Sequence, residues 1–341
     1  MALSQNEQKI LDSIKVASEN DPNRPEFPPD NPKFPATPTY QITIPGFSNV
    51  YLKDESHNPT GTHKDRMAWE IIVTYRDFLL AKKRGQFNGP LPHFSIISSG
   101  SAAFAIGSCL TKYGLPKLKV LVDNRIERSI VKSLRNINCE VYETDLSKKA
   151  FSGSEILSLT NNTGGIDITS ADSLDPTTRF YDWMSYEIIN SSPDFVFVPF
   201  GSGHLYENIL NVNKREVAED RPHDPRFSGD VNKLRKCNFI GATTSNPQTK
   251  ADKLYSPHLP FVHFGEQWLN NYKYSGFCGP LSNVHIVEEK FLDEAMELAR
   301  SQKICCEYSG IAGLALMLQM SPTLPKDKKY LIVNTGKTKI I

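Results

Sequence analysis

Short runs of apolar and β-branched residues recur along this chain, and most are followed by a longer stretch with helical spacing. "VYLK" (50–53) precedes 65–84, "FSIIS" (94–98) precedes 101–113, and "KVLVD" (119–123) precedes 125–137. "CEVYET" (139–144) comes next, "FVFVP" (195–199) precedes 204–213, and "NFIGATT" (238–244) and "YLIVNTG" (330–336) complete the series. A run apolar at successive positions leaves neither face for water, and strands separated by helices are joined by crossovers. The pattern therefore predicts parallel sheets covered by helices, an α/β fold with strands enough for two sheets.

Around this body the sequence changes character. Leu3, Ile10, Leu11 and Ile14 mark a helix near the start, and prolines then crowd positions 22–38 ("PNRPEFPPDNPKFPATP"). Proline blocks both helix and central strand, so this arm is expected to run extended over the body. Segment 214–236 is charged and without period, which reads as an exposed loop or insertion. With 341 residues and 39% hydrophobic content a substantial core is available. Thirty-nine basic against 38 acidic residues give a net charge of +1, so neither nucleic acid nor an anionic membrane is an expected partner. The opening residues are too polar for a secretory signal, and no window is long and apolar enough to span a bilayer; a cytoplasmic protein is the expectation. Six scattered cysteines without CxxC spacing suggest reduced thiols rather than disulfides or zinc.

Ligands of open α/β sheets bind where strands end in glycine-rich turns that lead into helices. Three turns here have that form: "NPTGTHKDR" (58–66), "SSGSAAFA" (98–105) and "PFGSGHLYENI" (199–209). In the first, Lys64 stands at the end of a helix that disfavours cations, where the helix dipole and partial burial both lower an amine's pKa. A lysine so activated condenses with carbonyls, and amides at another helix start can hold a phosphate; the aldehyde that carries a phosphate is pyridoxal 5'-phosphate. Other signals are weaker. Gly201 and Gly203 lack the third glycine of a dinucleotide fingerprint, "NTGKT" lacks the first glycine of a phosphate loop, and His57, His63 and His204 lie in separate turns with no metal-ligand spacing, so no metal is expected.

The three turns, in this order, resemble the pyridoxal-phosphate enzymes of fold type II, the tryptophan synthase beta family, and most closely its threonine synthase and threonine dehydratase branch. "LKDESHNPTGTHKDR" carries the resemblance most specifically, and it extends from about Tyr40 to Ile341. It implies two α/β domains, each with a mostly parallel sheet, and a cofactor site in the cleft between them. Residues 1–39 would form the N-terminal helix and arm, 55–174 the smaller domain, and 40–54 with 175–341 the larger. The resemblance makes Lys64 the lysine of the internal aldimine. It makes Ser98, Ser99, Gly100, Ser101 and Ala102 the loop around the substrate carboxylate, with Ser101 also at the cofactor. Gly201, Ser202, Gly203, His204 and Leu205 become the phosphate loop, and Thr335 the partner of the pyridine nitrogen. "CEYSGIAGLA" (306–315) places Glu307 and Ser309 near the site. A homodimer acting on a small amino acid is also implied.

Four positions depart from the family pattern. Ser101 stands for asparagine, His204 and Asn208 stand for glycines, and Tyr308 stands for proline. A neutral Thr335 hydroxyl would hold a pyridine proton less well than a carboxylate, which favours loss of a β or γ leaving group over transamination. The resulting expectation is elimination or replacement at Cβ or Cγ of serine, threonine or a phosphorylated or acylated homologue. His63, Arg125, Arg128 and Lys337 are the candidates for binding a substrate phosphate. The competing reading is a relative that keeps the fold but serves as a ligand-binding or regulatory protein.

Overall fold

The uninterrupted apolar runs become central strands, because only a strand covered on both faces can bury every side chain of such a run. The structure, a computed structural model, describes residues 3–19, 34–169, 179–255 and 284–339. Its strands are β1 (Thr39–Gln41), β2 (Val50–Asp54), β3 (Phe94–Ile97), β4 (Lys119–Asp123), β5 (Glu140–Thr144), β6 (Ile166–Asp167), β7 (Phe195–Pro199), β8 (Asn238–Thr243), β9 (Val284–Ile286) and β10 (Tyr330–Asn334). Its helices are α1 (Gln5–Glu19), α2 (Lys64–Lys83), α3 (Ser101–Tyr113), α4 (Arg128–Asn136), α5 (Gly153–Leu159), α6 (Asp182–Ile189), α7 (His204–Val217), α8 (Val231–Leu234), α9 (Glu289–Ser301) and α10 (Ala312–Met320). Most of the proline-rich arm lies outside the described residues.

The chain forms two units, and it passes from the second to the first at the peptide bond between His63 and Lys64. The first contains Lys64–Phe180 and the residues up to Pro35. Its described sheet runs β5-β4-β3-β6, all parallel. Ile10, Leu11 and Ile14 of α1 are buried, as their spacing predicts. The second unit contains Ala36–His63 and Tyr181–Lys339. Its described sheet runs β1-β2-β10-β7-β8-β9, parallel except for β1 against β2. Every residue of β7 and β10 is buried, and α10 packs its small residues on them; a Cβ on Gly313 would come within 2.7 Å of the Phe197 carbonyl oxygen.

Segment 214–236 is less loop-like than its charge suggests. Helix α7 continues to Val217, and Glu216 is wholly buried. Glu216 accepts from the Tyr186 hydroxyl at 2.7 Å and the Asp224 amide at 3.1 Å, while Arg226 lies 4.4 Å from the Tyr186 ring centre and pairs with Asp224 and Asp182. Charges on the insertion fold it back onto α6, a pairing between distant residues that leaves no periodic signal in the sequence.

Candidate active site

The residues before Lys64 form a buried polar frame. Lys53, Asp54 and Glu55 are each at most 2% exposed, although a run of three charges would ordinarily lie in water. Such burial is tolerable only with partners, and each has them. The ammonium of Lys53 contacts Glu187 and donates to the Thr37 carbonyl at 2.7 Å. Asp54 accepts from the Tyr40 hydroxyl at 2.8 Å, the Ser56 amide at 3.1 Å and the Asn334 amide group at 2.9 Å. Glu55 accepts from Thr37 at 2.5 Å and from Asn58 at 2.8 Å, and the same Asn58 amide group donates to the Thr62 carbonyl at 3.0 Å.

This frame clamps the lysine turn to the C-terminal turn. The amide of His63 donates to the Thr335 carbonyl at 3.1 Å, and that of Lys337 to the Gly61 carbonyl at 2.9 Å. Gly336, at φ +89°, is a residue only glycine suits, because a Cβ would collide with the Gly61 carbonyl. Thr335, itself buried, donates its amide to the Gly310 carbonyl at 3.0 Å. Lys64 follows as the first residue of α2, half-buried. Burial lowers its pKa from 10.5 to about 8, since the charged form loses hydration.

The second predicted turn divides its labour. Ser98 is buried, and its hydroxyl accepts from the Gly100 amide at 3.1 Å and the Ala103 amide at 3.2 Å, so it shapes the loop. Ser99 is exposed, Gly100 caps α3 at φ +131°, and Ser101 and Ala102 are half-buried at the helix start.

In the third turn, β7 delivers the chain through Phe200 and Gly201 to Gly203, which caps the 14-residue α7 at φ +85° without a side-chain cap. Amides at the start of such a helix suit an anion. Ser202 is exposed, Gly201 and His204 are half-buried, and Leu205 is buried. Asn208 accepts from Ser185 at 2.5 Å and donates to Asp182 at 3.0 Å, tying α7 to α6. Glu207, one turn into α7, was not singled out from the sequence; burial raises its pKa to about 7. Tyr308 stands where proline was expected and donates to Asp293 at 3.2 Å. Glu307 and Ser309 lie beside Lys253, which donates to the Glu307 carboxylate at 2.6 Å and through its amide to Ser309 at 3.1 Å. Two candidate phosphate binders are already engaged: Arg125 pairs with Asp123 and Arg128 with Glu143, both at 2.7 Å. No cluster of metal-ligating side chains occurs among the described residues.

A family model described as pyridoxal-phosphate dependent enzyme matches residues 34–336. The chain belongs to this family. Pyridoxal 5'-phosphate is thus the cofactor, as the resemblance implies, and the parallel α/β architecture matches that of known members. Solved structures similar to this pyridoxal-phosphate family protein include O-ureido-L-serine synthase, with 15% identity, a TM-score of 0.64 and coverage of 88% of this chain and 89% of that one. Maize serine racemase shows 17% identity and a TM-score of 0.63 over 96% and 93%. Diaminopropionate ammonia lyase from Escherichia coli shows 13% identity and a TM-score of 0.63 over 98% and 90%. No curated protein matches the sequence. The donor set fits the cofactor: an amine of lowered pKa suits its aldehyde, and backbone amides at the start of the 14-residue α7 suit its phosphate.

Proposed function

We propose that the protein catalyses elimination or replacement at Cβ or Cγ of a small amino acid, with Lys64 as both the lysine that carries the cofactor and the base. The observation that carries this reading is the Lys64 amine, lowered to about 8 at the start of α2, directly after a turn hydrogen-bonded to the Thr335 turn. When bound, pyridoxal phosphate supplies an electron sink for the substrate α-carbon. Lys64 would hold the cofactor covalently and, once displaced by substrate, take the α-proton on its neutral nitrogen. The amides of Ser202, Gly203 and His204 would hold the phosphate. Exposed Ser99 and half-buried Ser101 would bind the substrate carboxylate, with Ser98 holding their loop. Thr335 would offer the pyridine nitrogen a neutral hydroxyl, whose weak hold on a proton favours prompt departure of a leaving group. The names of the similar structures, a synthase, an ammonia lyase and a racemase, all carry small amino acids, in keeping with this substrate class.

Purified protein should show a visible absorption band that borohydride bleaches and that Lys64→Ala lacks. Serine, threonine and their phosphorylated or acylated homologues should perturb the band, and at least one should yield a keto acid or a replacement product. A band that none of them perturbs would refute the catalytic reading in favour of a binding role. Inversion of an amino acid without release of a leaving group would mark a racemase instead.

A further inference from the structure

Beside the phosphate loop, within the second unit, lies a short turn that neither the lysine motif nor the glycine loops include. Asp252–Leu254 forms one turn of 3-10 helix, held on either side by Ala251 and Leu254, which are 0% and 5% exposed and belong to the core. Lys253 sits in this turn with three attachments. Its carbonyl oxygen lies against Gly201, where a Cβ would collide with it, so the turn sets how far the loop backbone can move and requires glycine there. Its amide donates to the hydroxyl of buried Ser309 at 3.1 Å. Its ammonium donates to both oxygens of Glu307 at 2.6 Å. One turn earlier, Lys250 pairs with Asp293 at 2.6 Å, and Asp293 also accepts from Tyr308. Residues 250–254 therefore grip three successive residues, 307–309. The next residue, Gly310, accepts the Thr335 amide at 3.0 Å.

We propose that Lys253 is a positioning residue that fixes the phosphate-loop backbone at Gly201 and the Glu307–Gly310 segment, and through it the Thr335 turn, to one rigid turn. The proposal rests on reading Gly201–Leu205 as the loop for the cofactor phosphate and Thr335 as the partner of its ring. Lys253 touches neither substrate nor cofactor in this role; it acts through backbone that does. The ion pair with Glu307 is the only one of the three attachments that a side-chain substitution removes, because the other two belong to the main chain.

The test follows cofactor release from full-length holoprotein, as loss of the visible band after dilution. Lys253→Met, which keeps the length and loses the charge, should release the cofactor about tenfold faster, equivalent to about 1.4 kcal/mol. Lys253→Arg should restore the rate to within about threefold of wild type, since a guanidinium also grips a carboxylate with two bonds. Glu307→Gln should accelerate release similarly, and the double variant should be no worse than Lys253→Met, as for two groups acting through one bond. Release from Lys253→Met at the wild-type rate, failure of arginine to rescue, or additive effects in the double variant would each overturn the proposal. If Lys253→Met does not fold, Glu307→Gln decides the matter, and an unchanged rate there overturns it. Wild-type protein that shows no band at all would instead defeat the functional reading on which the proposal stands.

Discussion

The lowered pKa of Lys64 makes a quantitative prediction about how the protein takes up its cofactor. With a pKa of about 8 rather than 10.5, about a tenth of the amine is uncharged at pH 7 instead of about 0.03%. Only the uncharged amine attacks an aldehyde. The physical cause is the loss of hydration around the ammonium, and it acts in the direction that uncharges the group as pH rises through about 8. Protein stripped of cofactor and mixed with pyridoxal phosphate at a series of pH values should recover its visible band at an initial rate that rises about tenfold between pH 7 and 10 and levels off beyond about 9. An unshifted lysine would give a rise of several hundredfold over the same interval, with no plateau. The rate is read by absorbance in the first seconds after mixing, and Lys64→Ala provides the blank. A steep rise continuing through pH 10 would refute the argument that burial has activated this amine.

The same burial makes Lys64 a cost to the fold. Below pH 8 the residue is charged in both the folded and the unfolded chain and the full cost is present; above 10.5 it is neutral in both and the cost vanishes. Lys64→Met should therefore stabilise the cofactor-free protein at pH 7, by about 1 to 2 kcal/mol after allowing for the partial exposure of the side chain. The gain should shrink as pH rises from 8 to 10.5, and a pH-independent difference in urea unfolding would count against it. Asn334→Leu removes the donor to buried Asp54 and the acceptor for the Gly336 amide, and should cost about 2 to 3 kcal/mol in the same assay. Asn208→Ala should cost about 1 to 2 kcal/mol through its lost contacts to Ser185 and Asp182 while leaving cofactor affinity within about twofold of wild type. A large loss of affinity in that variant would show that Asn208 serves the phosphate loop after all.

The sequence alone determined where the chain is strand and where it is helix wherever burial is uniform along an element. Helix α3 and strands β4 and β7 begin and end where the apolar pattern says, because one-sided or two-sided burial writes itself into a repeat. Short edge strands such as β1, β6 and β9 went unread, since two or three residues carry no period. The lysine turn, the serine loop and the glycine loop were also legible, because each needs particular small residues at a strand-to-helix junction. What the sequence could not supply was the pairing of residues far apart in the chain. That Asp54 answers to Asn334, that Glu55 holds Asn58 against Thr62, and that Asn208 bonds Ser185 are decided only when the fold brings those residues together. Lys253 is the clearest case. In the sequence it is one lysine among many in a polar stretch. Its carbonyl and amide, which hold Gly201 and Ser309, belong to the backbone that every residue shares, and only the tertiary structure gives them an address.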